Sequence, residues 1–241
     1  MKKKHELLLQ YCVGVVIICV IVFYLTYTPT VRVFGPENGD KLFILGSVHG
    51  NEPSGTLATY RLIDYLQANP TKIKQRITIM PLPNPLGYYI GSRYQMKPFH
   101  SDINRNFGEV GKDRVSEIIL TYVRDSDFIV DLHEGYEYHT RYPKSMGSSI
   151  IPNKSSLAQR VSNDILPLVN NMITSADKKF GISDFYSRED CYLPDSLGCY
   201  CNKQGLHYIS IETTGLLNNQ QPIDIRVNQH YTLLRGIMTT L

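Results

Sequence analysis

The sequence predicts an α/β domain built on a largely parallel sheet, with one transmembrane helix ahead of it. Three observations predict this. Four short apolar runs, partly β-branched, alternate with longer stretches of helical periodicity, the pattern of strands joined through helices. An uncharged run of 21 residues, Leu7 to Tyr27, precedes them. The polar residues with chemistry to offer, His49, Asn84, His133 and Glu212, all fall at or just beyond the carboxyl ends of the apolar runs.

The chain has 241 residues and 42% hydrophobic content, enough for one sizeable core and cramped for two. The formal net charge is +3, and Lys2, Lys3 and Lys4 supply all of it. The rest is near neutral, which excludes the electrostatic footprint of a nucleic-acid binder.

Residues 1–6 read as a short tail and 7–28 as the membrane anchor, because an uncharged helix of this length matches a hydrocarbon core of about 30 Å. A secretory signal is the rival, but its apolar region is usually about 7–15 residues long and ends at a small-residue cleavage site. "YLTYTPTVRVFG" offers no such pattern. Lysines ahead of the span put the N-terminus in the cytoplasm and the rest of the chain on the extracytosolic or lumenal side, with the lipid bilayer as a partner through residues 7–28. Residues 29–40, with Pro29 and Pro36, read as a linker, and 41–241 as the globular domain.

Within that domain "KLFIL" (Lys41 to Leu45), "RITIMP" (Arg76 to Pro81), "DFIVDL" (Asp127 to Leu132) and "HYISI" (His207 to Ile211) read as buried strands. "SGTLATYRLIDYLQAN" reads as a helix with Leu57, Tyr60, Ile63 and Leu66 on its apolar side, and "DRVSEIILTYV" as one with Val115, Ile118, Ile119 and Tyr122 on a stripe. A third helix runs from Ser156 towards Ile173 with an interruption at Pro167, and a fourth follows Pro222. Cys191 is able to bridge to Cys199 or Cys201, or all three stay as thiols. "NKS" at Asn153 is a glycosylation acceptor pattern.

The carboxyl edge of an open α/β sheet is where connecting loops converge on a ligand crevice. His49, Glu52 and His133 form a two-histidine, one-carboxylate set, the donor types of a catalytic zinc site. Glu52 lies three residues after His49, and Gly46, Gly50 and Gly55 let the chain turn so that both side chains reach one point. "HEGYEYH" at His133 to His139 is not a HExxH helix, since its histidines are six apart with Gly135 between them. His139 therefore reads as structural or on a pocket rim. Glu134 reads as a catalytic helper or a supporting carboxylate, and Asp131 as a carboxylate that orients a ligand histidine.

"HGNE" (His49 to Glu52), "PNPLGYYIGSR" (Pro83 to Arg93), "DINRNF" (Asp102 to Phe107), "DLHEG" (Asp131 to Gly135) and "SLGCYCNKQGLHYISIET" (Ser196 to Thr213) resemble, in order, the motifs of zinc carboxypeptidases. The chain is most similar to the succinylglutamate desuccinylase/aspartoacylase branch. The resemblance implies a three-layer αβα sandwich with a mixed, largely parallel central sheet and one zinc ion per chain on His49, Glu52 and His133. It implies Glu212 as general base, Arg93 as the residue that polarises the scissile carbonyl and contacts substrate, and Asn104 with Arg105 as the clamp on a substrate carboxylate. A catalytic tyrosine would be Tyr192 or Tyr200. The tail after Glu212 reads as one helix, so the additional C-terminal β domain of aspartoacylase-like proteins is not expected.

The expected function is zinc-dependent cleavage of an amide bond in a carboxylate-bearing substrate, of the N-acyl amino acid deacylase or desuccinylase type, by a zinc-activated water with Glu212 as general base; the expected partner is a small acylated amino acid or peptide substrate. The alternative is a metallocarboxypeptidase acting on peptides or cell-wall peptides. The alternative from another class is a non-catalytic, membrane-anchored ligand-binding protein.

Overall fold

A computed structural model describes residues 2–95, 101–108, 111–188 and 191–241, with the side chains of 2–3, 7–8, 20–21, 23–26 and 218 outside the description. Its described strands are β1 (Arg32–Phe34), β2 (Lys41–Leu45), β3 (Arg76–Met80), β4 (Phe128–Tyr136), β5 (Ser149–Pro152), β6 (Gly181–Ile182) and β7 (His207–Leu216). The helices are α1 (Lys2–Thr26), α2 (Pro53–Ala68), α3 (Pro85–Ile90), α4 (Arg114–Arg124), α5 (Ser156–Asn170), α6 (Leu197–Gln204) and α7 (Ile223–Thr240).

The strands form one sheet in the order β1-β3-β2-β4-β7-β5-β6. The central four, β3, β2, β4 and β7, are parallel, while β1 and β5 join antiparallel to β3 and β7. The sheet is thus mixed and largely parallel, as expected. Ala58, Leu62 and Leu66 of α2, Val161 and Ile165 of α5, and Leu233 and Ile237 of α7 pack on one face of it. Val115, Ile119 and Val123 of α4 with Leu197 and Cys201 of α6 pack on the other. Both faces being covered explains why the central strands are apolar without alternation.

Several expectations need correction. The anchor expected over 7–28 falls on α1, some of whose side chains lie outside the described set, and among the described residues no helix is long and apolar enough to cross a membrane. The segment read as a linker contributes β1, whose Arg32–Phe34 pair with Ile77–Ile79. On α2 the buried stripe runs through Ala58, Leu62, Ile63 and Leu66, whereas Leu57 and Tyr60 face solvent. Helix α5 continues through Pro167 to Asn170. The Asn153 side chain is buried and donates to the Leu206 carbonyl at 2.7 Å, so it offers no glycosylation acceptor in the folded chain. Cys191 pairs with Cys199, with Cα atoms 5.8 Å apart, and Cys201 remains a buried thiol.

The connections decide where a ligand can sit. From β2 the chain passes through α2 to β3 on one side, and from β3 it crosses back to β4 on the other side of β2. That reversal opens a crevice at the carboxyl ends of β2 and β4. The packing that holds β2 and α2 together is testable. Leu62→Ala should cost about 2–5 kcal/mol in urea unfolding, since Leu62 is fully buried between helix and sheet. A loss below about 1 kcal/mol would mean that this face is not closely packed.

Candidate functional site

The segment between β2 and α2 is fixed before it presents any side chain. A Cβ on Gly50 would lie 1.9 Å from the Gly87 carbonyl carbon, so only glycine lets this loop touch α3. Asn84 caps α3 by accepting from the Gly87 N–H at 3.1 Å, and its amide donates to the Val48 carbonyl at 3.1 Å. Asn84, which the sequence puts at the crevice edge, therefore pins the loop that carries His49. Pro53 then starts α2 at a position where its missing N–H costs nothing.

His49, Glu52 and His133 are all buried, and each offers one atom to a common point, with these atoms within 4.8 Å of one another. His49 Nδ1 lies 2.8 Å from Glu52 Oε1, His133 Nδ1 lies 3.0 Å from Glu52 Oε2, and the two Nδ1 atoms are 3.2 Å apart. Ligands of a tetrahedral zinc ion at bonds of about 2.0–2.1 Å are separated by about 3.3 Å, close to these values. The tautomers fit as well. His49 Nε2 is 3.0 Å from Asp102 Oδ1 and His133 Nε2 is 2.9 Å from Asp131 Oδ2, the latter off the ideal hydrogen-bond line. Carboxylates beside the far nitrogens favour protons there, which would free both Nδ1 atoms for a metal. Two imidazole nitrogens and a carboxylate converging on one point could hold a cation. Tyr208 in turn donates to Asp131 Oδ2 at 3.0 Å.

Burial alone would raise the Glu52 carboxyl, but His49 and His133 outweigh it and hold it well below the usual carboxylate range. Asp102 behaves likewise: burial opposes its charge, and His49 and Arg93 overcome that. For His133 burial disfavours the charged form, and Asp131 and Glu52 raise it regardless.

Strand alternation distributes the remaining groups. His133 and Glu212 are register partners on β4 and β7, so both project towards the α4 and α6 side. Burial pushes Glu212 up to about 8, with Glu52 adding to it and His133 opposing; a cation among the three ligands favours the ionised form. Glu134 and Thr213 point the other way, towards α2 and α7. The Glu134 carboxylate accepts from the Ser54 N–H at 2.7 Å and from the Arg226 guanidinium, while its own N–H donates to Glu52 Oε2 at 3.0 Å. Glu134 thus supports the metal-facing carboxylate from behind. A Cβ on Gly215 would collide with the Glu134 carboxyl, so that glycine makes room for the pair.

Arg93 reaches the centre through Nη1 to Glu52 Oε1 at 3.1 Å and Nε to Asp102 Oδ2 at 3.0 Å. Asn104 Oδ1 accepts from the Leu197 N–H at 2.9 Å, which leaves its NH₂ as the donor, and Arg105 Nη1 donates to the Asn104 carbonyl at 2.6 Å. Arg93, Asn104, Arg105 and Glu212 line one cavity of about 240 Å³ with the three ligand residues. A cavity of about 260 Å³ at the opposite edge of the sheet, beside Asp127 and Arg160, lacks such a ligand set among the described residues.

Other expectations fare differently. His139 bonds the Ser145 carbonyl at 2.9 Å and stands apart from the centre. Tyr192 is exposed and holds Arg188, and the Tyr200 hydroxyl accepts from Arg124 Nε at 3.0 Å, so neither lines the cavity. Tyr136 and Tyr186 do. Sequence reasoning passed over Tyr186 and gave Asp102 no role, although Asp102 stands two residues before Asn104 in a motif already singled out.

Residues 38–143 match the family model described as the succinylglutamate desuccinylase/aspartoacylase catalytic domain. "Probable carboxypeptidase 2" of Arthroderma benhamiae is 32% identical over 110 residues, covering 43% of this chain and 20% of its own length. The chain therefore spans about a fifth of that curated relative. A variant of the Helicobacter pylori cell shape determinant Csd4 superposes with a TM-score of 0.72 at 18% identity, over 88% of this chain and 55% of that one. The mDAP-bound form of Csd4, described as a D,L-carboxypeptidase, gives 0.71 at 17% identity, over 87% and 54%. At such identity the structural likeness speaks for the fold alone.

Two expected outcomes follow from the supports of the centre. Asp102→Asn should weaken zinc binding about 10–100-fold in chelator competition, because His49 loses the carboxylate that orients it; unchanged affinity would reduce Asp102 to a bystander. Arg226→Met should lower stability by about 3–5 kcal/mol in urea, since it leaves Glu134 buried and unpaired.

Proposed function

Since the chain belongs to the zinc carboxypeptidase superfamily, in its succinylglutamate desuccinylase/aspartoacylase branch, we propose that it is a zinc-dependent hydrolase that cleaves an amide bond next to a free carboxylate in a small peptide. One observation carries this reading: the His49, Glu52 and His133 donor atoms converge, and Glu212 stands in register beside His133.

His49, Glu52 and His133 would hold a zinc ion, which would supply Lewis acidity and lower the pKa of a water. Glu212 accepts a proton from the attacking water and returns it to the leaving amine. Arg93 offers its guanidinium to the oxygen that gains negative charge as the carbonyl is attacked. Arg105 and the Asn104 amide hold the substrate carboxylate, a task suited to the forked guanidinium geometry. Asp102 and Asp131 keep the ligand imidazoles oriented.

The curated relative named as a carboxypeptidase supports the peptidase reading, as do the tripeptide-bound and mDAP-bound forms of Csd4, described as a D,L-carboxypeptidase. A second reading, an N-acyl amino acid deacylase of the desuccinylase type, is favoured by the family match over residues 38–143. The two differ in which side of the amide bears the clamped carboxylate. The Cys191–Cys199 disulfide supports a domain working in an oxidising compartment.

Mass-spectrometric analysis of products from short peptides and from N-acyl amino acids separates the two readings. Glu212→Gln should reduce hydrolysis about 10²–10⁴-fold while the protein still takes up one equivalent of zinc. Undiminished turnover in that variant, or no zinc-dependent hydrolysis of either substrate class, would falsify the mechanism.

A further inference from the structure

The lining of the cavity that holds the metal-ligating residues is of two chemical kinds. One is polar: the ligand residues with Arg93, Asn104, Arg105 and the Tyr136 and Tyr186 hydroxyls. The other, the wall, is apolar: Met146, Phe185, Leu193 and Leu216. These four residues come from four separated places in the chain: the segment ahead of β5, the segment after β6, the segment ahead of α6, and the end of β7.

The wall is held in place. The Phe185 ring meets Tyr186 edge-on at 5.0 Å and lies 5.8 Å from Tyr192, and Tyr186 meets Tyr208 edge-on at 5.6 Å. Leu193 stands in the loop closed by the Cys191–Cys199 disulfide. Phe185 is thus tied to the buried Tyr186 and Tyr208, and Leu193 to a disulfide-closed loop.

The count of cations matters next. Arg93 and Arg105 are the guanidinium groups lining the cavity among the described residues. Arg93 is shared between Glu52 and Asp102. Arg105 forms no ion pair among the described residues and is the group left for a substrate anion. Among the described lining residues a second substrate carboxylate would meet no further cation, only the Tyr136 and Tyr186 hydroxyls amid thioether, aromatic and aliphatic carbon, and burying a charge without a counter-charge is strongly unfavourable. An apolar side chain in the same place gains from leaving water.

We propose that Met146, Phe185, Leu193 and Leu216 select a substrate with a single carboxylate beside an apolar side chain, and reject polyanionic acyl amino acids. This rests on the hydrolase reading for its meaning. It does not rest on it for its test.

The test is the binding of two small acids to the zinc-loaded full chain by titration calorimetry. 4-Methylpentanoate has one carboxylate and a branched apolar end; glutarate is of similar length and has two carboxylates. The expected result is that 4-methylpentanoate binds at least about tenfold more tightly. Leu193→Arg and, from a separate segment, Met146→Lys should each reverse the order by giving glutarate a second cation, with thermal melts verifying that each variant is folded. Glutarate binding as tightly as or more tightly than 4-methylpentanoate to the unaltered chain overturns the proposal, and so does failure of both acids to bind at millimolar concentration. Neither acid contains an amide, so the preference can hold while hydrolysis fails. That outcome would sink the hydrolase reading and leave the selectivity intact.

Discussion

Everything in this domain is arranged around one constraint: the Glu52 carboxylate is buried to 1% exposure, and a buried charge must be matched from every side. Two imidazoles, one guanidinium and one backbone N–H meet its oxygens. Each of these partners is itself held. Asp102 holds His49 and Arg93, Asp131 stands behind His133, and Tyr208 holds Asp131. The Glu134 N–H is kept in position by a carboxylate locked between Ser54 and Arg226. Removing the charge from Glu52 would leave this whole set of donors and acceptors without a common purpose. The concentration of polar groups in an otherwise apolar sheet is thus a single electrostatic solution, and it costs stability unless a cation completes it.

Much of the fold was legible because the four central strands are buried on both faces, which forces continuous apolar runs in the sequence. The short strands β1, β5 and β6 were not, since two to four residues carry no period. Helix α6 was missed because "LGCYCNKQ" ends in polar residues and gains its place by packing Leu197, Cys199 and Cys201 under the sheet. The stripe of α2 was misread, as Leu57 and Tyr60 look apolar in sequence while the true contact face is set by where the sheet lies. Tertiary packing outweighed local pattern in both cases.

The convergence of His49, Glu52 and His133 was legible in part. His49 and Glu52 are separated by a spacing that a turn can close, and His133 and Glu212 each sit just beyond an apolar run. What could not be read was the pairing of His133 with Glu212 across β4 and β7, because register depends on two strands that are 79 positions apart. The disulfide partner of Cys191 was equally hidden, since two candidate cysteines stand one residue apart. Asp102 stayed without a role because its function exists only through His49, 53 positions away.

His133 and Glu212 are placed on a different kind of chain from most of the wall. His133 and Glu212 lie within long central strands, whereas Met146, Phe185 and Leu193 lie in connecting segments. Strand positions are coupled to their neighbours on both sides, so a change there disturbs the sheet. Connecting segments tolerate replacement. An evolving lineage can therefore exchange Met146, Phe185 and Leu193, one segment at a time, and leave His133 and Glu212 fixed in the sheet.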